Sequence, residues 1–330
     1  RRRRACRTPR LKAHCLRGVA SDDVGMSAET AVVLLAAPAS SSPTALPARR
    51  RIRGKRSCPY SPTPTPRAAA CGRGAAPRPR WPLRTLVVNL DRRRDRWSGI
   101  RGRLAALEAS GLLTIERLSA VDGRDLEGVH AADSGGDSSS EVLRKWTTDR
   151  NARYDGRSGY RAGIELELTP GERACAMSHI CAWREVLADG GEAPVLILED
   201  DAVPRKAFAR RLRSTVSAAE KADADVLYLG YIQGAPWVSE VCKGLQEAEY
   251  LWTTVAYVLW PRGARRLLER LPVDCPVDNF MAWHTSQKHV RTLAVVPELV
   301  QQEGEWDFGS DVPHSDDVVL DLPAGDGAVT

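Results

Sequence analysis

The stretch VLILEDDA at residues 195–202 joins an apolar run to three consecutive carboxylates, Glu199, Asp200 and Asp201. An apolar run of this length that ends in charged residues is typical of a strand buried in a sheet. In open α/β sheets, ligands bind beyond the carboxyl ends of the strands, which is where these acids stand. The stretch therefore predicts a central strand with a candidate site at its end.

Side chains alternate along an extended chain, so Glu199 and Asp201 are expected to point the same way. Two such carboxylates suit a hard divalent cation, Mg²⁺ or Mn²⁺. A cation held there could bind a diphosphate and neutralise it as a leaving group. The alternative is a solvated turn in which Asp201 caps the helix that follows.

Outward from this strand, apolar runs alternate with amphipathic segments. Further strands are predicted at Leu83–Leu90, Leu113–Val121, Asp225–Gly230, Leu251–Trp260 and Val290–Val296. Helices are predicted at Asp91–Ser110, Pro170–Ala188, Lys206–Lys221 and Pro261–Leu271. Residues 128–163 are polar and rich in Gly and Ser, which indicates a surface loop. The alternation predicts an α/β fold with a largely parallel sheet.

A second candidate segment follows the first strand and reads NLDRRRDR, residues 89–96. A helix that begins at the end of a strand presents backbone N–H groups to phosphate. Arg92 or Arg96 could add bidentate contacts to phosphate, and Asn89 or Asp91 could hydrogen-bond a base or ribose. The alternative is that Asp91 is only a helix N-cap and the arginines form a solvated face.

Two further acids stand near predicted helix starts. Glu172 lies three residues after Thr169, with Pro170 between them, which is the pattern of a capping box. His179, two turns further along the same helix, is interpreted as a satisfied core residue. Asp278 stands between apolar residues in PVDNF and is either a helix N-cap or a site carboxylate.

The first 80 residues differ from the rest in composition. They hold 18 Lys and Arg against 3 Asp and Glu, whereas residues 81–330 hold 30 against 39. We interpret residues 1–80 as a disordered Arg/Pro-rich tail and a possible targeting segment. A nucleic-acid-binding function would rest on this tail alone, and its arginines lack the interleaved aromatics of such proteins. Its apolar run, Ala31–Ala39, is too short for a membrane span, which needs roughly 20 residues.

The cysteines give little support to a zinc site, because the sequence contains no CxxC pair. Buried free thiols are one interpretation of the body cysteines. A disulfide between Cys242 and Cys275 is the other.

Seven segments, taken together and in order, resemble glycosyltransferase family 25, which includes lipooligosaccharide and procollagen galactosyltransferases. They are LVVNLDRRRDRW, RLSAVDGRDL, GERACAMSH, VLILEDDAV, DVLYLG, TTVAYVLWPRGARRLL and PVDNF, and the resemblance covers about Leu83 to Asp311. The resemblance implies a GT-A-type fold, a UDP-sugar donor, Mn²⁺ or Mg²⁺ at Glu199-Asp200-Asp201, and transfer of galactose with inversion to a glycan or protein hydroxyl.

On this resemblance residues 81–315 are the catalytic domain and residues 316–330 a flexible tail. Glu199 and Asp201 are expected to hold the metal. Asp278 is the first choice for the catalytic base, with Glu172 as its competitor. The residues expected to hold the nucleotide or its cation are Asn89, Asp91, Arg92, Arg96 and Asp200.

This chain departs from the family pattern at two places. Ala174 stands where the family usually has Gly, and Thr253-Thr254 stands where it usually has Gly-Thr. The C-terminal residues GDGAVT are not a lumenal retrieval signal. The compartment stays open between an ER or Golgi lumen, another organelle and a bacterial cytoplasm. A non-catalytic relative that acts in adhesion or scaffolding is the alternative function.

Overall fold

The computed structural model describes residues 81–126, 141–152, 161–188, 190–304 and 314–315. The basic tail of residues 1–80 and the C-terminal tail of residues 316–330 lie outside this part of the chain, so both stay predictions.

The described residues form strands and helices in alternation. The strands are β1 (Leu83–Asn89), β2 (Leu113–Ser119), β3 (Lys145–Thr147), β4 (Glu165–Glu167), β5 (Val195–Glu199), β6 (Ala202–Pro204), β7 (Val226–Gln233), β8 (Ser239–Cys242), β9 (Leu245–Glu247), β10 (Leu251–Leu259), β11 (Thr292–Val295) and β12 (Val300–Gln302). The helices are α1 (Arg94–Ala109), α2 (Asp149–Ala152), α3 (Pro170–Ala188), α4 (Phe208–Lys221), α5 (Pro261–Leu268) and α6 (Val277–Ser286).

The main sheet has eight strands in the order β2-β1-β5-β10-β7-β11-β9-β8. Strands β2, β1 and β5 are parallel neighbours, and so are β7 and β11. Strand β10 runs antiparallel between β5 and β7, so the α/β fold is confirmed but the sheet is mixed. The physical reason is that no helix lies between β7 and β10, whereas a parallel pair needs a crossover connection.

Strand β5 lies inside the sheet and is covered on both faces. Val195 and Ile197 join the core that α3, α5 and α6 form on one face of the sheet. Leu196 and Leu198 join the core that α1 and α4 form on the other face. This alternation explains the unbroken apolar run, because a strand between two helical layers has no solvated face.

Three predicted helix starts have different outcomes. The capping box of α3 is confirmed: the Thr169 N–H donates to Glu172 Oε2 at 2.8 Å, and the Glu172 N–H donates to Thr169 Oγ1 at 3.1 Å. The prediction that Asp91 caps α1 is wrong, because that helix begins at Arg94. The alternative in which Asp201 caps a helix is also wrong, since β6 intervenes and α4 begins at Phe208.

Other elements were not predicted. Strand β3 and helix α2 lie within the interval expected to be a surface loop, of which residues 128–140 and 153–160 lie outside the described part. Helix α6 begins at Val277, directly after Pro276. The free-thiol interpretation is confirmed and the disulfide alternative is wrong: Cys242 is an exposed free thiol and Cys275 a buried one. No described helix is long and apolar enough to cross a membrane.

A close approach between α5 and β7 gives the first testable prediction. A Cβ added at Gly263 would lie 2.9 Å from the carbonyl carbon of Asp225 and nearer still to its oxygen. We expect Gly263→Ala to lower the free energy of unfolding by about 1–3 kcal/mol, as overpacking does. Gly102→Ala in α1 is the control: nothing lies within 4 Å of its added Cβ, so it should stabilise by roughly 0.5–1 kcal/mol. Equal effects of the two substitutions in urea unfolding would contradict the prediction.

Candidate active site

The three carboxylates at the end of β5 have different surroundings. Asp200 is buried, with 8% of its surface exposed. Its Oδ2 accepts from Asn89 Nδ2 at 2.7 Å, and its Oδ1 accepts from Arg96 Nη1 at 3.2 Å. Arg103 donates to its backbone carbonyl at 3.0 Å. Asp200 therefore ties the end of β5 to β1 and α1.

Asn89, the partner of Asp200 on β1, is itself held in place by further hydrogen bonds. It is 1% exposed, and its amide also donates to the Arg93 carbonyl at 3.1 Å. Its Oδ1 accepts from Arg117 Nε at 2.8 Å. The structure thus brings together Asn89, Arg96 and Asp200, three of the residues predicted to hold the nucleotide, and bonds them to one another.

The other two predicted nucleotide contacts lie at the rim. Asp91 is exposed and pairs with Arg117 at 2.7 Å. Hydrogen bonds from Ser119 and then Arg117 lower the pKa of Asp91. Arg92 pairs with Asp122 at 2.8 Å. Because exposed ion pairs contribute little to stability, a polyanionic ligand could displace both carboxylates at small cost.

Glu199 points toward α3, as its place after Ile197 requires. Thr254 Oγ1 donates to its Oε1, and His179 Nε2 lies 3.4 Å from the same oxygen. Burial raises the pKa of Glu199, but the contact with His179, the hydrogen bond from Thr254 and the charge of Arg96 together outweigh burial and lower it. Glu199 is therefore a carboxylate whose charged form the site stabilises.

Asp201 is the least satisfied of the three. Its Oδ2 accepts from Gln302 Nε2 at 3.0 Å, while its Oδ1 is buried and has no hydrogen-bond partner among the residues that the structure describes. Burial, and next the charge of Glu199, raises the pKa of Asp201 to about 7. An orphaned carboxylate oxygen beside a second carboxylate fits a cation better than it fits a solvated turn.

The donor set limits what could bind there. In the part of the chain that the structure describes, no three His, Cys, Asp or Glu side chains are grouped as metal ligands. The protein thus offers two carboxylates at most. That suits Mg²⁺ or Mn²⁺, which are commonly held by one or two carboxylates together with substrate phosphates and water.

Asp278 lies in the first turn of α6 and does not serve as its N-cap, which is Pro276. Its Oδ1 accepts from the Asn279 N–H at 2.8 Å and its Oδ2 from the Thr253 N–H at 3.2 Å. Thr253 has φ of 70°, and the register between β10 and β7 shifts at this point. The positive φ matches the family preference for Gly here and aims the Thr253 N–H at Asp278.

Glu172 is occupied at both oxygens. Besides the capping bond to Oε2, its Oε1 accepts from the Ser315 N–H and from Ser315 Oγ, each at 3.0 Å. The side chain is buried, and burial raises its pKa. The structure therefore gives Glu172 a complete structural role in joining α3 to the segment that carries Ser315.

The thiol of Cys175 is affected by the charges of several of these carboxylates. Burial first, and then the charges of Glu199, Asp278, Glu172 and Asp201, raises the pKa of Cys175 on α3. All four predicted metal or base residues are thus close enough to act on one side chain.

The sequence interpretation missed three residues that contact the acids directly. Thr254 and Gln302 bind Glu199 and Asp201, and His179 proves buried as predicted but also faces Glu199. A usable signal was Tyr257, whose hydroxyl stands in the apolar run VAYVL of β10 and requires a buried polar partner.

With this geometry in place, comparison with known proteins identifies the family. The profile of "Glycosyltransferase family 25 (LPS biosynthesis protein)" matches residues 83–281. The chain therefore belongs to glycosyltransferase family 25.

The similar proteins include both active and inactive members by name. "Probable inactive glycosyltransferase 25 family member 3" of Bos taurus is 35% identical over 258 residues, which cover 70% of this chain and 40% of that protein. "Procollagen galactosyltransferase 1" of Danio rerio is 28% identical over 237 residues, covering 65% and 35%. The chain thus spans well under half the length of these two relatives. A solved structure, "Crystal Structure of A197 from STIV", covers 66% of this chain and 82% of its own at 10% identity, with a TM-score of 0.31 that is too low to support an argument.

The backbone of Thr253 gives the second prediction. A left-handed conformation costs a non-glycine residue roughly 1–2 kcal/mol, so we expect Thr253→Gly to raise the free energy of unfolding by about 1 kcal/mol. Thr114→Gly on the exposed face of β2 is the control and should destabilise by roughly 0.5–1 kcal/mol. If both variants lose stability equally in chemical denaturation, Thr253 is not strained.

The raised pKa of Asp201 gives the third prediction. The folded protein binds this proton more tightly than the unfolded chain does, so the contribution to stability is complete below pH 4 and lost as the pH rises to about 7. In the absence of divalent cations, Asp201→Asn should remove this loss and melt at least about 2 °C higher than the wild type above pH 7. The two proteins should melt alike below pH 4.

The control for this prediction is Asp125→Asn, which changes an exposed carboxylate. It should leave the melting temperature unchanged across the same pH range. A melting temperature of Asp201→Asn that follows the wild type from pH 4 to 8 would contradict the assignment.

Proposed function

We propose that this chain is the catalytic part of a metal-dependent, inverting glycosyltransferase. It transfers a hexose, galactose, from a UDP-sugar to a hydroxyl group of a glycan or protein acceptor. The observation that carries the proposal is the buried, unpaired Oδ1 of Asp201 beside Glu199 at the carboxyl end of the central strand. Family membership and the names of the galactosyltransferase relatives supply the reaction class and the sugar.

A GT-A-type arrangement is part of the proposal. The mixed sheet with helices on both faces is compatible with it, and the acids stand at the sheet edge where α/β folds bind ligands. The cation, Mn²⁺ or Mg²⁺, would be held by Glu199 and Asp201 and would neutralise the charge of the departing diphosphate.

The nucleotide is assigned to the segment after β1. Asp91 and Arg92 are the proposed contacts to the ligand, because both lie at the rim in exposed ion pairs. Asn89, Arg96 and Asp200 support that surface from beneath, since their polar groups are bonded to one another.

Asp278 is the proposed base. Its carboxylate is fixed by two backbone N–H groups, one from α6 and one from β10. The acceptor hydroxyl would pass its proton to Asp278 as its oxygen bonds the anomeric carbon, and the bond from that carbon to the diphosphate oxygen would break. Glu172 is the weaker candidate because it is buried and its hydrogen bonds close the capping box of α3 and join that helix to Ser315.

A non-catalytic role is the second candidate. It is favoured by the relatives from Bos taurus, Mus musculus and Homo sapiens at 34–35% identity, whose names describe family member 3 as inactive. A protein that only binds partners gains nothing from the orphaned Asp201 oxygen, whose desolvation costs stability.

An assay of donor hydrolysis and transfer separates the two candidates. The chain is incubated with labelled UDP-galactose or UDP-glucose and a panel of glycan and peptide acceptors, with Mn²⁺ or with a chelator. We expect turnover that requires the cation and is abolished by Asp201→Ala. Mn²⁺-independent thermal stability together with no hydrolysis of either donor would support the non-catalytic role.

Paired carboxamide substitutions give the fourth prediction. Asp278→Asn preserves shape and removes basicity, so turnover should fall about 100-fold or more while UDP affinity stays constant. Glu172→Gln should instead lower the melting temperature and leave turnover near the wild-type level well below that temperature. Should Asp278→Asn weaken UDP binding and spare turnover, Asp278 is a donor contact and the base lies elsewhere.

A further inference from the structure

A continuous polar chain crosses the apolar layer between α3 and the sheet. Trp183 Nε1 donates to Tyr257 Oη at 3.1 Å, and Tyr257 Oη lies 2.8 Å from His179 Nδ1. His179 Nε2 then lies 3.4 Å from Glu199 Oε1. Trp183, Tyr257 and His179 are at most 1% exposed.

Among the possible assignments of donors and acceptors, one gives every polar hydrogen of this chain an acceptor. The Trp183 indole only donates, so it uses a lone pair of Tyr257 Oη. In that assignment the Tyr257 hydroxyl donates to His179 Nδ1, and the proton of the His179 ring lies on Nε2 and faces Glu199. The other tautomer would leave the Tyr257 proton without an acceptor in this chain and would set a lone pair against a carboxylate.

His179 Nε2 has no good alternative target. Within the part of the chain that the structure describes, this atom makes no hydrogen bond of standard geometry, and Glu199 Oε1 is its ion-pair contact. Burying an imidazole and a phenol among apolar side chains costs free energy unless their polar atoms are used. The chain thus ends on Glu199, and Thr254 binds the same oxygen, which leaves Oε2 to a ligand.

We propose that His179 and Tyr257 are positioning residues for Glu199. Tyr257 fixes the tautomer and the ring of His179, and His179 turns the carboxylate so that Oε2 faces the cation and diphosphate. Outer partners of metal-binding side chains act in this way, and their loss typically weakens metal binding about 10–100-fold. The inference rests on the proposed function, because the cation is the ligand that Glu199 is positioned to bind.

The test measures Mn²⁺ affinity of the whole chain in the presence of UDP by electron paramagnetic resonance. We expect Tyr257→Phe to weaken Mn²⁺ binding about tenfold. Tyr228→Phe is the matched control, since Tyr228 is buried beside Tyr257 at 6.0 Å between ring centroids and its hydroxyl donates to Met281 Sδ, away from Glu199. It should bind Mn²⁺ like the wild type.

Substitutions of His179 and Glu199 separate positioning from packing. His179→Gln retains a donor near the place of Nε2 and should keep more Mn²⁺ affinity than His179→Met, which fills the space without a donor. In a Glu199→Gln background, Tyr257→Phe should have no further effect on Mn²⁺ binding. An equal loss with Glu199 present or absent, or equal losses in the two Tyr→Phe variants, would overturn the proposal.

The tautomer is measured separately, by nitrogen NMR of the His179 imidazole without metal. We expect the proton on Nε2 in the wild type and a changed Nε2 resonance in Glu199→Gln. A proton on Nδ1 would overturn the positioning chain. If the wild type shows the expected tautomer but binds no Mn²⁺ with UDP and hydrolyses no donor, the proposed function fails, and with it the metal-positioning role.

Discussion

The burial of β5 is the constraint on which the site depends. This strand is covered on both faces, and three carboxylates follow one another at its carboxyl end. Burying any of them without a partner costs free energy. Alternation along the strand sends Glu199 toward α3 and Asp200 toward α1. The neighbouring elements then supply the donors: Asn89 and Arg96 bind Asp200, and His179 and Thr254 bind Glu199.

Hydrogen-bond donors are distributed unevenly among the three carboxylates, and this unevenness supports the proposed cation site. Asp200 has both oxygens and its carbonyl bonded, which makes it a structural joint between β5, β1 and α1. Asp201 keeps one buried oxygen unpaired and stands within the field of Glu199. A buried carboxylate oxygen without a partner lowers the stability of the free protein, and a bound cation would supply the missing positive charge.

Local signals explain which elements the sequence predicted well. The apolar run of β5 and the Thr169–Glu172 capping box involve residues close in sequence, and both were confirmed. The placement of Asp91 failed because its partner, Arg117, arrives from the next strand. The antiparallel direction of β10 depends on the absence of a helix after β7, which composition alone does not show.

The site itself was predicted in part. The sequence singled out the acids, but their partners are chosen by tertiary contacts, such as the one between His179 and Tyr257, 78 residues apart. Asp278 was left open between an N-cap and a site carboxylate. The structure removes the capping role and shows a carboxylate held by a backbone N–H from the strained Thr253.

Family membership by itself does not decide between catalysis and binding, because proteins named as galactosyltransferases and as inactive both match this chain. The distinction has to come from what each acid would do without a ligand. Asp200 and Glu172 need none, since the fold satisfies them. Within the described ranges, Asp201 keeps one oxygen unpaired, and the donors to Glu199 lie at Oε1. The carboxylates with unused hydrogen-bonding capacity, Glu199 and Asp201, are the two proposed to bind the cation. Asp200 and Glu172, whose oxygens are all hydrogen-bonded, are explained by packing and helix capping. This division supports the proposed cation site over a surface used only for adhesion.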